Sequence, residues 1–187
     1  MSGRASRKTD SFANAPGKSV LCDYIVTLYG NPTCAGLMIN KIYNQRILEL
    51  AANIPRLGRL AAPQASASAH SKLCGSSVTV DLILSGGRVV DFAHEVQACA
   101  LGQASSAIMA HHIIGSSPQE LRDLRLQMRK MLKENGAPPG GRWADAAVLE
   151  SVRDYKARHA STLLTFDAVV EALDKIEAQG GQSSGKP

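Results

Sequence analysis

The chain has 187 residues, of which 44% are hydrophobic and 20% charged, a composition typical of one soluble domain with its own core. Only 4% of the residues are aromatic, and the net charge is only +5, much of it near the start of the chain. Both values disfavour a nucleic-acid-binding surface. No apolar run is long enough to span a bilayer and no secretory leader is apparent, so we expect a cytoplasmic protein with no membrane association.

Composition divides the chain into three parts. Residues 1 to about 20 are rich in Ser, Lys, Arg, Ala and Gly without any period, and residues 20–37 hold a short strand-like run followed by a turn signal. Residues 1–37 together are predicted to be a disordered N-terminal extension. Residues 38–179 carry periodic apolar patterns and are predicted to form a single domain. Residues 180–187 are predicted to be a disordered tail.

Alternating side chains predict three β-strands in the first half of this domain. Alanines alternate with polar residues over residues 65–70, and apolar residues alternate with polar ones over residues 78–84. Gly86-Gly87 then forms a two-residue turn that tolerates positive φ. The apolar face of the return strand is predicted from four residues at period two: Val90, Phe92, His94 and Val96. These strands predict a small antiparallel sheet with one covered face.

Helical spacing accounts for most of the remaining domain. The predicted helices cover residues 38–53, 100–114, 117–135, 144–152 and 161–179. Ser117, Pro118 and Glu120 form a capping box with proline in the first turn, which fixes the start of the third helix. Strands followed by helices predict an α+β domain in which the sheet packs against several helices in two layers.

Two cysteines lie at the open ends of the predicted hairpin. Cys74 precedes Gly75 and the outgoing strand, and Cys99 ends the return strand and opens a helix. Because the open ends of a hairpin meet, we expect the two thiols to lie close together. A helix N-terminus favours the thiolate form of Cys99. Two nearby thiolates prefer Zn²⁺, Cu⁺ or Fe–S iron to harder ions, but a stable structural site needs further ligands.

Two histidines are candidates for such further ligands. His70 lies just before Cys74, and His159 lies before the last predicted helix, at the end of a basic run. That run is predicted to be a solvated face or a docking patch for an acidic partner. His94 is predicted to lie at the edge of the core, and Cys22 and Cys34 are predicted to be incidental. His111 and His112 are predicted to be partly exposed in the middle of a helix.

Both cysteine segments resemble those of a known family. Residues 73–80, LCGSSVTV, are similar to the pattern L-C-G-D-x-V-T-V. Residues 98–109, ACALGQASSAIM, are similar to the pattern G-C-A-I-S-x-A-S-A-S-M-M. These patterns belong to the IscU/SufU/NifU N-terminal iron–sulfur cluster assembly scaffolds, and the resemblance covers roughly residues 38–179. It also suggests that translation begins at Met38, with the preceding residues an upstream extension.

The resemblance implies a sheet packed on helices, with three cysteines and an aspartate at one tip. In the family these groups hold a nascent [2Fe–2S] cluster, iron or Zn²⁺ before transfer. Cys74 and Cys99 match the first two cysteines, whereas Ser76 stands at the aspartate position and Ser161 at the third cysteine. A neutral hydroxyl is a poor ligand for soft iron or zinc. A complete site would therefore need His159, a partner chain or an external thiol.

The resemblance implies a scaffold or accessory protein rather than an enzyme. It would receive sulfur from a cysteine desulfurase and serve Fe–S recipient or carrier proteins, as a monomer or homodimer. A second hypothesis is a thiol enzyme, with Cys99 as the peroxidatic or persulfide-accepting nucleophile and Cys74 as its resolving partner. A third hypothesis is a degenerate interaction module that keeps the scaffold shape and docks the same partners without metal.

Overall fold

A computed structural model describes residues 44–182, with side chains described through residue 180. The predicted N-terminal extension, the first turns of the predicted opening helix, Cys22 and Cys34 lie outside the described residues, as do residues 183–187. None of the helices within residues 44–182 combines the length and the apolar character that a membrane span requires.

The described residues form three strands, four α-helices and one 3₁₀ helix. In chain order they are α1 (Gln45–Ala52), β1 (Ala65–His70), β2 (Ser77–Ser85), β3 (Arg88–Gln97), α2 (Ala100–His112), α3 (Pro118–Lys133), the 3₁₀ helix (Gly141–Val152) and α4 (Lys156–Gln182). The strands form one antiparallel sheet in the order β1-β2-β3, and α4 packs against β1 and β2. This architecture confirms the predicted α+β class.

The β2–β3 hairpin contains an irregularity that reverses the predicted side-chain alternation. Its turn is as predicted, with Gly86 at φ 58° and Gly87 at φ 72°. The register then shifts, because Leu84 pairs with Val89 whereas Ile83 pairs with Asp91. This bulge buries Val89 and leaves Val90 48% exposed. The assignment of Val90 to the apolar face was therefore wrong, since one extra residue inverts the alternation on that side of the bulge.

The helix-facing side of the sheet is built from small residues on β1 and larger ones on β2. Ala65 and Ala67 are buried and pair with Leu82 and Val80 in the register. Their small side chains let α4 approach the sheet closely, and α4 contacts both strands. Burial of this apolar face supplies the main stabilisation of the domain.

The segment between α1 and β1 lies along the outer edge of β3 and then covers part of the other side of the sheet at Asp81. This segment pairs with β3, since the backbone N–H of Gly58 donates to the carbonyl of His94 at 2.9 Å and that of His94 donates to the carbonyl of Arg56 at 3.1 Å. His94 is fully buried rather than at the core edge, and its Nε2 lies 3.0 Å from the carbonyl oxygen of Pro55. Asp81 is also fully buried, beneath Arg59 of the same segment.

Two helices differ from their predicted positions. The last helix begins at Lys156, whereas the sequence predicted a start at Ser161. The prediction missed the first turn because that turn is polar and carries no apolar period. Part of the basic run is therefore its first turn, and within it His159 is buried. His111 and His112 lie in the last turn of α2 rather than mid-helix. Helix α2 ends there because the following loop pairs with β3, where the N–H of Val89 donates to the carbonyl of Ser116.

Candidate functional site

Cys74 lies in a tight loop that joins β1 to β2. The backbone N–H of Ser71 donates to the carbonyl of Ser76 at 2.8 Å, and that of Gly75 donates to the carbonyl of Ser71 at 2.9 Å. Gly75 has a φ of 68°, a left-handed conformation that glycine adopts without a steric cost. The loop leaves Cys74 exposed where β1 ends and β2 begins, at the edge of the sheet formed by these strand ends.

Cys99 reaches the same edge from the end of β3. Ser77 at the start of β2 pairs with Gln97 at the end of β3, so the chain enters α2 directly beside the Cys74 loop. Cys99 is the N-cap residue of α2 and is half-buried. Its backbone N–H donates to the hydroxyl of Ser76 at 3.4 Å. The fold thus brings both thiols to one edge of the sheet.

Three buried serines surround the two sulfur atoms. The Oγ of Ser71 lies 3.3 Å from the Sγ of Cys74, and the Oγ of Ser76 lies 3.0 Å from the same atom. The Oγ of Ser161, in α4, lies 3.6 Å from the Sγ of Cys99 and donates to the carbonyl of Arg158 at 3.0 Å. All three serines are less than 5% exposed. The edge therefore presents two thiols with hydroxyl groups behind them.

The hydroxyl groups change the acidity of Cys74. Hydrogen bonds with the hydroxyl of Ser71 first, and then with that of Ser76, lower the pKa of Cys74 to about 7, with a smaller contribution from Ser161, while partial burial opposes the shift. A large fraction of Cys74 is therefore thiolate near neutral pH, the form that attacks sulfur and binds soft metals. The helix N-terminus had predicted thiolate activation at Cys99, and Ser71 was not among the predicted site residues.

Neither candidate histidine joins the two thiols. Across residues 44–180, no group of three or more His, Cys, Asp or Glu side chains is arranged to hold a metal ion. The Nε2 of His159 lies 2.9 Å from the carbonyl oxygen of Arg153. His70 and His159 instead line a cavity of about 840 Å³ between β1, α3 and α4, and neither cysteine lines it. The donor set in this part of the chain is thus two thiols, half of the four-thiolate set that holds a [2Fe–2S] cluster.

The position of Ser161 depends on a close contact between α2 and α4. An ideal Cβ built on Gly102 of α2 would lie 3.2 Å from the carbonyl oxygen of Ser161 and 2.7 Å from the Cβ of Ala98. Glycine therefore lets the first turn of α2 approach α4 at the residue that contacts Cys99. A sequence signal for this contact exists, because an isolated glycine inside a helix commonly has a packing reason. The sequence signal for a role of Ser71 was weaker, because a serine at the start of a turn is common for reasons of turn geometry alone.

Replacing Ser71 with alanine is expected to raise the pKa of Cys74, because the Ser71 hydroxyl contributes most to lowering it. Cys74 should then react more slowly with iodoacetamide near pH 7, and the midpoint of its reaction should move to higher pH. The check is a pH series of alkylation rates, quantified at Cys74 by peptide mass spectrometry.

The matched control for Ser71→Ala is Ser85→Ala, since Ser85 is exposed at the opposite end of β2. The control should leave the alkylation midpoint of Cys74 unchanged. An unchanged midpoint in Ser71→Ala would show that this hydroxyl does not set the acidity of Cys74.

Comparison with known proteins gives three related matches. The family model for the NifU-like N terminal domain matches residues 42–162. The iron–sulfur cluster assembly scaffold protein IscU of Thermotoga maritima is 26% identical over 140 residues, which are 75% of this chain and 98% of that protein. The crystal structure of a nitrogen-fixing NifU-like protein (N-terminal) from Brucella abortus is 62% identical, with a TM-score of 0.74, covering 75% of this chain and 98% of that one.

A fourth match supports the fold alone. The crystal structure of a putative iron–sulfur cluster assembly scaffold protein for the SUF system from Fervidobacterium islandicum AW-1 is 23% identical. Its TM-score is 0.67, and the match covers 72% of this chain and 98% of that one. The sheet and helices described above are therefore shared with proteins of low sequence identity.

Proposed function

We propose that this chain, which belongs to the NifU-like N-terminal domain family, is an iron–sulfur cluster assembly scaffold that collects iron and sulfide at Cys74 and Cys99. The observation that carries the site assignment is that Cys74 and Cys99 both contact the hydroxyl of Ser76 at one edge of the sheet, through the Sγ of Cys74 at 3.0 Å and the N–H of Cys99 at 3.4 Å, with the pKa of Cys74 lowered to about 7. Thiolates are the ligands that soft iron prefers, so the cargo would bind where the thiolate is formed.

The acidity of Cys74 suits it to accept sulfur. In the proposed step, the Cys74 thiolate attacks the outer sulfur of a persulfide on a cysteine desulfurase. A new S–S bond forms at Cys74, the S–S bond of the desulfurase breaks, and the desulfurase cysteine leaves as a thiolate. A thiol with a pKa near ambient pH is the best nucleophile for such an exchange. Ser71 and Ser76 therefore serve the reaction by stabilising the attacking thiolate.

The cargo and the partners follow from the same assignment. We expect transient iron or a [2Fe–2S] cluster at the two thiols, with Zn²⁺ as a competing occupant, and Fe–S recipient or carrier proteins downstream in the cytoplasm. The relatives are named as scaffold proteins rather than enzymes, so the thiol-enzyme hypothesis receives no support from them. The metal-free docking module is the hypothesis that the experiment must exclude.

The test is anaerobic assembly from ferrous iron, cysteine and a catalytic amount of cysteine desulfurase. The wild type should retain iron and acid-labile sulfide after desalting and should absorb in the visible range. The double variant Cys74→Ser/Cys99→Ser should lose at least 90% of both, because the hydroxyls that replace the thiols are poor ligands for iron.

The matched control is Cys22→Ser/Cys34→Ser, which removes the same number of thiols and should retain iron and sulfide. A wild type that holds neither would leave the docking module as the function. Equal retention in the two double variants would contradict the assignment to Cys74 and Cys99.

A further inference from the structure

We propose that the cavity between β1, α3 and α4 is a binding site for a small organic phosphate, separate from the cysteine site. The inference goes beyond the proposed function and does not rest on it. The cavity measures about 840 Å³, which is within the usual range for a site that takes a small molecule. Neither cysteine lines it, so its ligand would not be the iron and sulfide cargo.

The walls of the cavity carry more positive than negative side chains. Four cations and two carboxylates line it, which leaves a formal excess of two positive charges: Arg129, Lys133, Arg153, Lys156, Asp154 and Asp167. A phosphate monoester carries about two negative charges at neutral pH and would balance this excess. A single carboxylate would balance only half of it.

Two of the four cations have no carboxylate partner. Arg129 pairs with Asp167 at 3.4 Å, and Arg153 pairs with a carboxylate of the 3₁₀ helix at 2.8 Å. Lys133 and Lys156 are exposed and pair with no carboxylate among residues 44–180. A lysine ammonium group binds phosphate as a compact point charge. Lys133 and Lys156 are therefore the expected contacts of the phosphate.

Hydrogen bonds fix one wall of the cavity before any ligand binds. The Nε of Arg153 donates to the carbonyl of Met131 at 3.0 Å, and its Nη2 donates to the carbonyl of Gly136 at 2.9 Å. The Nε2 of His159 lies 2.9 Å from the carbonyl oxygen of Arg153. Arg153 thus links the end of α3 to the first turns of α4. A wall that is ordered in advance lowers the entropic cost of binding.

Apolar side chains form another part of the cavity surface. Leu132, Leu163 and Leu164 line it and are each less than 5% exposed. A ligand that meets both the cations and the leucines needs an anionic group and an apolar body. The cavity therefore favours an organic phosphate over the free inorganic ion.

The cavity adjoins the cysteine site through the chain. His70 lines the cavity and precedes Ser71, whose Oγ lies 3.3 Å from the Sγ of Cys74. Another lining residue precedes Ser161, whose Oγ lies 3.6 Å from the Sγ of Cys99. A ligand that shifts either segment would move a hydroxyl that lies beside a sulfur atom. We therefore expect occupancy of the cavity to change the reactivity of Cys74.

The experiment is isothermal titration calorimetry of naphthyl phosphate into the full chain, after removal of metal with a chelator and desalting. We expect one site per chain. Inorganic phosphate, which lacks the apolar body, and naphthol, which lacks the charge, should each bind at least tenfold more weakly. The double variant Lys133→Ala/Lys156→Ala should also bind naphthyl phosphate at least tenfold more weakly than the wild type.

The matched control is Lys130→Ala/Lys175→Ala, which removes the same charge from two exposed lysines that do not line the cavity. It should bind naphthyl phosphate as the wild type does. A wild type that does not bind, equal weakening in the two double variants, or tighter binding of naphthoate than of naphthyl phosphate would overturn the phosphate site.

The link to the cysteine site has its own measurement. Saturating naphthyl phosphate should change the rate at which Cys74 reacts with iodoacetamide at pH 7 by at least twofold in the wild type. The same concentration should have no effect on Lys133→Ala/Lys156→Ala. Binding without any change in the wild-type rate would overturn the link. Retention of iron and sulfide tests the proposed function separately and is not affected by these outcomes.

Discussion

Replacing Asp81 with alanine is expected to lower the free energy of unfolding by about 2–4 kcal/mol. The carboxylate is fully buried on the side of the sheet away from α4. It accepts from Nε of Arg59 at 2.7 Å, from the hydroxyl of Ser66 at 2.5 Å and from the N–H of Leu60 at 3.0 Å. Nη2 of Arg59 also donates to it at 2.9 Å, so alanine would remove the acceptor of four hydrogen bonds and release the segment between α1 and β1 from the sheet.

The expected loss stays below the value for a fully buried ion pair because Arg59 is 44% exposed and can regain water. Urea unfolding at pH 7, followed by circular dichroism, measures the difference from the wild type. The control Asp145→Ala breaks a partly exposed pair with His112 and should cost less than about 1 kcal/mol. Equal losses in the two variants would mean that Asp81 does not anchor this segment.

The same aspartate predicts how stability depends on pH. Burial acts to raise the pKa of Asp81, but hydrogen bonds from Arg59, Ser66 and Leu60 and the charge of Arg59 outweigh it, so the pKa lies below its usual value. A carboxylate with a lowered folded-state pKa contributes stability above its unfolded pKa and loses it as the pH falls through the folded pKa. The stability difference between the wild type and Asp81→Asn should therefore shrink below about pH 4. A constant difference from pH 7 to pH 3 would contradict this assignment.

Local sequence rules were sufficient for the sheet and for the meeting of the two cysteines. Period-two alternation and a Gly-Gly turn specify a hairpin, and a hairpin necessarily brings its open ends together. Cys74 and Cys99 lie at those ends, so their placement followed from short-range pattern alone. The same rules gave the wrong face for Val90, because a one-residue bulge cannot be recognised from the sequence pattern before the strand register is known.

The remaining features of the site depend on contacts between distant segments. Ser161 meets Cys99 because α4 crosses the start of α2; the family resemblance placed Ser161 at the site and Gly102 marked the close contact, but apolar spacing alone did not give the crossing. His159 was a predicted ligand because a neutral imidazole before the last predicted helix could complete the cysteine site, but its Nε2 faces the carbonyl of Arg153. Asp81 was predicted to lie on the polar, uncovered side of its strand. It is buried instead, because Arg59 in the segment that follows α1 covers it. Such contacts are non-local, so residue type and spacing could not reveal them.

Replacing Gly102 with alanine is expected to lower the free energy of unfolding by about 1–3 kcal/mol, although alanine is the better helix former by about 1 kcal/mol. The added Cβ would lie 2.7 Å from the Cβ of Ala98 and 3.2 Å from the carbonyl oxygen of Ser161. Neither obstacle is the free end of a flexible side chain, so the first turn of α2 must move away from α4.

That movement couples the packing of the helices to the site. The hydroxyl of Ser161 lies 3.6 Å from the Sγ of Cys99, so separation of α2 from α4 breaks this contact and shifts the thiol relative to Cys74. Gly102→Ala should therefore lose bound iron and sulfide as well as stability, whereas Gly180→Ala, with nothing within 4 Å of its added Cβ, should lose neither. Urea unfolding and metal analysis on both variants separate the two effects. Full iron retention in a destabilised Gly102→Ala would mean that the thiols keep their spacing without the helix contact.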